Sequence, residues 1–377
     1  MIGRTLETEL KDALLLSGKI IVLFGPRQVG KTTLIEKILS ESKLTFLQIN
    51  ADEQKYANVF GKADLRSMLE VIDGRQILFI DEAQNIPDIG LNLKILFDAR
   101  KDLKIIISGS SSLDLAGKIK EPLTGRTRTY QLFPVSLREL RTLQTVFDLK
   151  ERLPEFLVYG MYPEVLTIQR KEEKSKHLDE LASSYLYKDV LRLNNIRYSD
   201  KLYKLLQLLA LQTGSLVSVV KIANALDLSS ETVSNYIDLL EKSFVLFRRT
   251  GYSRNKAKEI SKMDKIYFYD NGIRNALLQN FTPWELRNDK GALWENFVIN
   301  ERMKNNIYDK KLVRSYFWRT YNGTEIDIVE EENGKLSAFE LKANNKITGI
   351  PPSWMQDYPD SSFQVINLEN WTDFLLL

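Results

Sequence analysis

The sequence contains no cysteine and a single histidine, and these two shortages remove several classes of chemistry. Without cysteine there are no disulfide bonds, thiolate zinc ligands or cysteine nucleophiles. One histidine, His177, excludes metal sites built from several imidazoles and argues against a Ser-His-Asp hydrolase. Any chemistry in this chain must therefore rest on carboxylates, lysines, hydroxyls and a hard cation such as Mg²⁺.

Long apolar runs and a strong excess of one charge are also missing. No apolar stretch approaches the ~18 residues of a membrane span, and the charged N-terminal segment lacks a secretory cleavage pattern. We therefore expect a cytoplasmic protein without a membrane partner. The chain of 377 residues has 53 Lys and Arg against 50 Asp and Glu, a net charge of +3, so no global basic field identifies a nucleic-acid binder.

The order of apolar patterns divides the chain into three predicted domains. Residues 1–145 alternate short apolar runs with helical stretches, which is typical of βα units around a parallel sheet. Residues 146–262 are mainly helical in pattern. Residues 263–377 combine a helix with strand-like runs and an Asn-Gly hairpin turn. The sequence thus predicts an α/β fold in which a parallel sheet precedes a helical middle and a second α/β domain.

The strongest motif lies between an apolar strand at 20–24 and a predicted helix. It reads GPRQVGKT and matches GxxxxGK[ST], the phosphate-binding P-loop. Its glycines let the backbone approach a phosphate, and the helix N-terminus favours an anion. We expect Lys31 to reach the β- and γ-phosphates of ATP and the Thr32 hydroxyl to bind Mg²⁺. The predicted nucleotide-binding residues are Gly25, Pro26, Arg27, Gln28, Val29, Gly30, Lys31, Thr32 and Thr33.

Two further strand ends supply groups suited to hydrolysis. An apolar run at 77–80 ends in Asp81 and Glu82. We expect Asp81 to hold Mg²⁺ together with Thr32, and Glu82 to polarise the attacking water. A third strand leads to Ser110, whose hydroxyl is expected beside the γ-phosphate, with Ser108 as the other candidate and an ordinary polar turn as the alternative. Lys31, Glu82 and Ser110 are therefore the predicted catalytic residues of an ATPase.

These motifs resemble those of the AAA-type P-loop ATPases. GPRQVGKTTL, LFIDEAQ, ISGSSS and the LTGR of residues 123–126 are similar to a bacterial and archaeal family in which such an ATPase is joined to a C-terminal domain of unknown function. YGMYPEV, YLYKDV and GALWENFV fit the same family, so the resemblance covers nearly the whole chain. It implies ATP binding and makes Arg126 a candidate catalytic arginine. The alternative is a guanidinium that ties a loop to a carboxylate. A neighbouring subunit of a homo-oligomer is another source of such an arginine.

The middle segment carries a candidate DNA-binding motif. Residues 219–241 fit a helix-turn-helix, with Ser234 and Asn235 near the start of the second helix, where hydrogen-bonding side chains meet base edges. The run 244–249 is expected to form the wing of a winged helix. Residues 242–265 hold eight Lys or Arg against two acidic residues, a local net of +6. The predicted nucleic-acid contacts are Ser234, Asn235, Arg248, Arg249, Arg254 and Lys256. A protein-contact module or a solvated basic loop is the alternative.

Three carboxylates near the C-terminus predict a second metal site. Glu295 lies on a helix, Asp327 in one strand-like run and Glu340 in the next, two residues before Lys342. Period-two alternation puts Glu340 and Lys342 on one face, so the carboxylates would hold Mg²⁺ or Mn²⁺ while the lysine orients or deprotonates a water. This pattern resembles the PD-(D/E)xK nuclease core, a restriction-endonuclease-like fold. A nuclease fold without activity, or charges alternating on a half-exposed sheet, is the alternative.

The sequence as a whole predicts a P-loop NTPase domain followed by a helical and winged-helix middle and a nuclease-like C-terminal domain. The predicted function is Mg²⁺-dependent hydrolysis of ATP coupled to the binding or processing of DNA. The competing hypothesis is a nucleotide-gated switch or scaffold that binds a protein partner and keeps an inactive nuclease fold.

Overall fold

The computed structural model describes residues 2–110, 122–185, 199–253, 264–346 and 348–376. Contacts within the chain define two compact units, one formed mainly by residues up to Pro134 and the other mainly by residues from Val135 onward. The predicted division into three domains, with boundaries at 145 and 262, stays a prediction. Within the described part of the chain, no helix has both the length and the apolar character needed to cross a membrane.

The first unit is built on a five-stranded parallel sheet in the order β2-β3-β4-β1-β5, which confirms the predicted α/β fold of this region. Every residue of β1 is buried, as is typical of parallel strands that are covered on both faces. The strands are β1 (Ile20–Phe24), β2 (Phe46–Asn50), β3 (Ile77–Asp81), β4 (Lys104–Gly109) and β5 (Thr127–Gln131), and the helices are α1 (Leu6–Leu16), α2 (Lys31–Glu41), α3 (Gln54–Phe60), α4 (Leu65–Ile72) and α5 (Ile89–Ala99).

The order of the strands brings the two predicted nucleotide motifs to one edge of the sheet. Strand β4 pairs in parallel with β1 on one side and with β3 on the other. The P-loop after β1 and Asp81 at the end of β3 therefore leave the same carboxyl edge. Gly25 opens the P-loop where the backbone passes very close to a neighbour, since an added Cβ would lie 2.0 Å from the Leu132 carbonyl oxygen. No residue with a side chain fits there without displacing that backbone.

The second unit combines helices with two sheets, each of which contains antiparallel strand pairs. A two-stranded sheet pairs β6 with β7, and a four-stranded sheet has the order β11-β10-β9-β8. The strands are β6 (Leu246–Arg249), β7 (Lys265–Phe268), β8 (Arg314–Arg319), β9 (Glu325–Glu332), β10 (Lys335–Leu341) and β11 (Ser362–Ile366). The helices are α6 (Leu137–Arg141), α7 (Val146–Tyr159), α8 (Pro163–Thr167), α9 (Lys171–Tyr185), α10 (Ser199–Leu211), α11 (Val219–Leu226), α12 (Ser230–Lys242), α13 (Asn271–Leu277), α14 (Lys290–Tyr308), α15 (Pro352–Asp357) and α16 (Trp371–Leu376).

The second unit contains one strand pair that the sequence predicts and one that it does not. The Asn-Gly turn is present: Asn333 and Gly334 both have positive φ, at 50° and 80°, and they join β9 to β10 in an antiparallel hairpin. Strand β6, expected as a wing, pairs with β7 in antiparallel register. This pairing crosses the predicted domain boundary at 262. A local sequence pattern does not predict it, because the two strands are not adjacent in the sequence.

Asp270 connects two segments of the second unit. It precedes α13, and its carboxylate accepts hydrogen bonds from the N–H groups of Gly272 and Ile273 at the start of that helix. The same carboxylate accepts a hydrogen bond of 2.7 Å from the Met161 N–H, just beyond α7. Asp270 is only 5% exposed, and burial raises its pKa to about 6.

We expect Asp270 to make the free energy of unfolding depend on pH. Its pKa rises from an ordinary value of 3.8 to about 6 on folding, so between these values the folded state keeps a proton that the unfolded state releases. The free energy of unfolding should therefore fall as the pH rises from about 4 to about 6 and then level off. Urea unfolding at several pH values in this window measures the slope.

The variant Asp270→Asn should remove most of this slope. It should also lower the free energy of unfolding at every pH in this window. The Met161 N–H now donates to a carboxylate oxygen, and in the variant it would face the amide group of the asparagine, which is also a donor. Asp360→Asn, at an exposed position, is the matched control and should leave the slope unchanged. A slope that persists in Asp270→Asn would assign the pH dependence to another group.

Candidate functional site

The P-loop forms a turn that places the Lys31 ammonium inside it. Gln28 and Gly30 both have positive φ, and Gly30 directly precedes α2. Lys31 is only 6% exposed, and its ammonium donates hydrogen bonds of 2.9 and 2.8 Å to the carbonyl oxygens of Gly25 and Pro26. Lys31 therefore lies at the centre of the loop that is predicted to bind phosphate.

The two predicted Mg²⁺ ligands of the nucleotide site are in direct contact. The Thr32 hydroxyl, on α2, donates a hydrogen bond of 2.7 Å to Asp81 Oδ2, at the end of β3. Asp81 Oδ1 accepts a second hydrogen bond from the Ser108 hydroxyl on β4. A hydroxyl and a carboxylate are hard oxygen ligands, so this pair fits the Mg²⁺ that accompanies a nucleotide. Ser108, the second candidate for the γ-phosphate, instead holds Asp81.

Glu82 has an unusual backbone conformation and two hydrogen-bonding neighbours. Its φ is 52°, in the left-handed region that non-glycine residues seldom adopt, and such conformations occur often at functional sites. Its Oε2 atom accepts a hydrogen bond from the Gln84 amide and one of 3.3 Å from the Ser110 hydroxyl. The structure thus brings the predicted residues Glu82 and Ser110 together. Gln84 was not predicted, although it stands in the same LFIDEAQ segment.

Arg4 is a second residue that the sequence did not indicate. Its guanidinium donates a hydrogen bond of 2.6 Å to the carbonyl oxygen of Val29 in the P-loop and another to the carbonyl oxygen of Phe133. Arg4 thereby fastens the P-loop to the segment that follows β5. No local pattern predicts this contact, because Arg4 precedes α1 and Phe133 lies more than a hundred residues further along the chain.

Arg126, the predicted catalytic arginine, pairs with a carboxylate. Its guanidinium contacts both carboxylate oxygens of Asp98, on α5, at 3.2 Å. This geometry is the alternative foreseen for Arg126, in which a guanidinium ties a loop to a carboxylate. Its role toward ATP stays a prediction.

Two arginines of the basic ribbon are less available to bind phosphate than the net charge of the ribbon suggests. Arg248 donates hydrogen bonds of 2.9 Å to Glu241 and 2.6 Å to Asp238. Arg249 is only 6% exposed and donates to the Ser315 hydroxyl, and burial lowers its pKa. In this structure the buried Arg249 guanidinium is not placed to contact a phosphate, and its contact with nucleic acid stays a prediction.

The other predicted nucleic-acid residues have different positions. Asn235 is exposed on α12, and Ser234 beside it is half-buried. Arg254 and Lys256 lie outside the described residues.

Two of the three predicted C-terminal carboxylates, Glu295 and Asp327, lie around one buried lysine. Lys265, the first residue of β7, lies with its ammonium 3.2 Å from Glu295 and 3.9 Å from Asp327, and it also donates to Glu325. Burial raises the pKa of Asp327 well above its ordinary range, and the nearby Glu295 and Glu340 add to this effect. Glu340 in turn accepts a hydrogen bond of 2.6 Å from Lys342.

The predicted second metal ion does not fit this arrangement. Glu295 and Asp327 do lie close together, as expected, but a buried ammonium stands between them where a metal ion would bind. Among the residues that the structure describes, no group of three or more His, Asp or Glu side chains is placed to hold a metal ion. Lys265 was counted only as part of the basic ribbon, and Glu325 was not predicted. Their only local signals were the start of the KIYFYD run and a position two residues before Asp327.

Three family models match successive parts of the chain. Residues 17–141 match the model of an AAA domain, residues 150–283 match a domain of unknown function (DUF8612), and residues 290–353 match another (DUF4143). An uncharacterized protein of Mycobacterium tuberculosis is 30% identical over 327 residues, which are 86% of this chain and 70% of the relative. An uncharacterized protein of Methanocaldococcus jannaschii is 27% identical over 370 residues, with 92% and 79% covered.

A solved structure is similar in fold. The Walker-type ATPase of Pyrococcus abyssi aligns with a TM-score of 0.52 at 18% sequence identity. The alignment covers 74% of this chain and 96% of that one. The family match therefore identifies residues 17–141 as an AAA domain, and the likeness to this structure agrees with a P-loop fold.

Proposed function

This chain belongs to the family of the mycobacterial protein that it matches over most of its length, and on that premise we propose that it binds ATP with Mg²⁺ and hydrolyses it. The observation that carries the proposal is the meeting of Thr32 with Asp81, and of Ser110 with Glu82, at the carboxyl edge of one parallel sheet. A metal-binding pair and a carboxylate with a hydroxyl neighbour are the groups that phosphoryl transfer to water requires.

Each of these residues has a distinct role in the proposed reaction. MgATP supplies the phosphoryl group and a divalent charge that offsets the negative charge of the phosphates. The Lys31 ammonium holds phosphate oxygens in place of the two carbonyl oxygens that it now contacts, and Thr32 and Asp81 hold the metal ion. Glu82 polarises the attacking water, and Ser110 orients the Glu82 carboxylate.

The finer proposal couples this hydrolysis to DNA. Helices α11 and α12 follow one another closely, as in a helix-turn-helix, and Asn235 is exposed on the second helix. We propose that α12 contacts DNA, that β6 and β7 form the wing of a winged helix, and that β8 to β11 belong to a nuclease-like fold. ATP turnover would then change how the chain holds DNA.

A specific observation favours a second candidate, a nucleotide-gated switch that binds a protein partner. Arg248 is paired with two carboxylates, and Arg249 and Lys265 are buried. These three cations therefore contribute little to a surface that would attract phosphates. A switch of this kind needs no basic surface and would keep the carboxylate cluster without using it for cleavage.

One experiment tests both the activity and the partner. Mg²⁺-dependent ATP hydrolysis is measured without DNA, with duplex DNA and with single-stranded DNA, at several salt concentrations. Lys31→Ala should reduce hydrolysis by about 100-fold or more, since it removes the charge that holds the phosphates. Lys62→Ala, at an exposed position of the same unit, should have no effect.

The outcomes separate the candidates. Stimulation by DNA that disappears as salt rises, and that weakens in Asn235→Ala, would support coupling to DNA. Hydrolysis that is indifferent to DNA would support the switch. Absence of any hydrolysis that depends on Lys31 would contradict the proposed activity itself.

A further inference from the structure

Lys265 is a charged residue in an unusually closed position. Its side chain is only 1% exposed, and its ammonium lies 5.4 Å from the centre of the Phe317 ring. Carboxylates from two different elements surround it, Glu295 from α14 and both Glu325 and Asp327 from β9. A lysine is almost never buried to this degree unless it is paired, so these carboxylates determine where its ammonium lies.

The charges around Lys265 are balanced. Glu325 also pairs with Arg319 at 2.8 Å, and Glu340 pairs with Lys342 at 2.6 Å. The buried guanidinium of Arg249 attracts Glu330, Glu295 and Asp327, and Glu330 pairs with Arg302 at 2.7 Å. The carboxylates of the cluster are Glu295, Glu325, Asp327, Glu330 and Glu340, and the cations are Lys265, Arg249, Arg302, Arg319 and Lys342. The cluster therefore has as many cations as carboxylates and no excess negative charge to attract a divalent ion.

The ammonium and a divalent ion would compete for the same oxygens. Mg²⁺ and Mn²⁺ bind through carboxylate oxygens at short distances and need several of them. Here the oxygens of Glu295 and Asp327 that would serve as ligands are within 4 Å of a positive charge. A second cation at this distance would be repelled in a buried environment, where charges are poorly screened.

We propose that the Lys265 ammonium is the resident cation of this carboxylate cluster and takes the position that a divalent metal ion would occupy. The chain then binds no Mg²⁺ or Mn²⁺ at Glu295, Asp327 and Glu340, and its C-terminal region folds without a metal. Removal of the ammonium creates a site for a hard divalent ion. This inference goes beyond the proposed ATPase and does not depend on it, since it concerns residues of the second unit alone.

The test compares the full chain with Lys265→Met, which keeps an apolar stem and removes the charge. No nucleotide is added, so that the P-loop does not contribute to metal binding. The wild type should show no change in melting temperature with Mn²⁺ and no Mn²⁺ binding by electron paramagnetic resonance that depends on Asp327. Lys265→Met should melt at a lower temperature without metal, and saturating Mn²⁺ should raise that temperature by about 5 °C.

Controls make each outcome decisive. Lys335→Met, which removes an exposed lysine of β10, should behave like the wild type. A folded Lys265→Met that neither binds Mn²⁺ nor gains stability from it would overturn the proposal. If Lys265→Met does not fold, the comparison of the wild type with Asp327→Asn decides: equal Mn²⁺ binding supports the proposal, and binding that Asp327→Asn abolishes refutes it.

Discussion

Replacing Glu82 with Gln is expected to slow ATP hydrolysis by about 100-fold or more while ATP binding is retained, because an amide cannot polarise the attacking water as a carboxylate does. The amide of Gln has nearly the same shape, and its oxygen can still accept hydrogen bonds from Ser110 and Gln84. The left-handed backbone at this position is unchanged by the substitution. Binding of a fluorescent ATP analogue and single-turnover hydrolysis separate the two effects.

Two variants bracket this result. Lys31→Ala should weaken nucleotide binding as well as turnover, since its ammonium lies at the centre of the P-loop. Glu53→Gln, an exposed carboxylate of the same unit, should change neither. If Glu82→Gln hydrolyses ATP at the rate of the wild type, another group activates the water.

Gly160→Ala is expected to destabilise the second unit by about 3 to 5 kcal/mol. Gly160 follows α7 with φ at 74°, a conformation that costs an alanine free energy. An added Cβ would also lie 1.9 Å from Asp270 Oδ1, so the Asp270 carboxylate would have to move. Its hydrogen bonds to Met161 and to the start of α13 would then weaken together.

Tryptophan fluorescence during urea unfolding measures this loss selectively. All 5 tryptophans of the chain follow Val135, so the signal reports on the second unit. Gly334→Ala is the matched control, since Gly334 has a similar φ of 80° but nothing within 4 Å of an added Cβ. It should lose only about 1 kcal/mol. If both variants lose the same free energy of unfolding, the close contact of the added Cβ with Asp270 does not destabilise the protein.

The nucleotide motifs were the part of the fold most open to prediction. Strand, loop and helix follow one another within a few residues around the P-loop, so hydrophobic pattern and glycine spacing specify them locally. The segments at β3 and β4 are likewise continuous apolar runs with polar residues at their ends. In a parallel sheet such ends share an edge, and this shared edge is why Ser108 contacts Asp81 and Ser110 contacts Glu82.

Contacts between distant segments were not predictable in the same way. Lys265 is 30 residues from Glu295 and 60 from Glu325, and nothing in the KIYFYD run shows that its first residue is buried among carboxylates. The net charge of the basic ribbon overstates its free positive charge for a related reason. The ribbon spans residues 242–265, whereas the acidic partners of Arg248 are Asp238 and Glu241, which precede it. A count of charges along the chain does not record which charges are paired in space.

The position of β4 between β1 and β3 limits which parts of the first unit could move when a bound nucleotide changes. Two ladders of backbone hydrogen bonds separate β1 from β3, and each fixes a spacing of about 4.8 Å, so the roots of the P-loop and of Asp81 stay about 10 Å apart. The sheet thus keeps these two positions at a fixed separation. In the proposed reaction, the loss of the γ-phosphate would therefore move residues beyond the strand ends, such as Glu82 and Ser110.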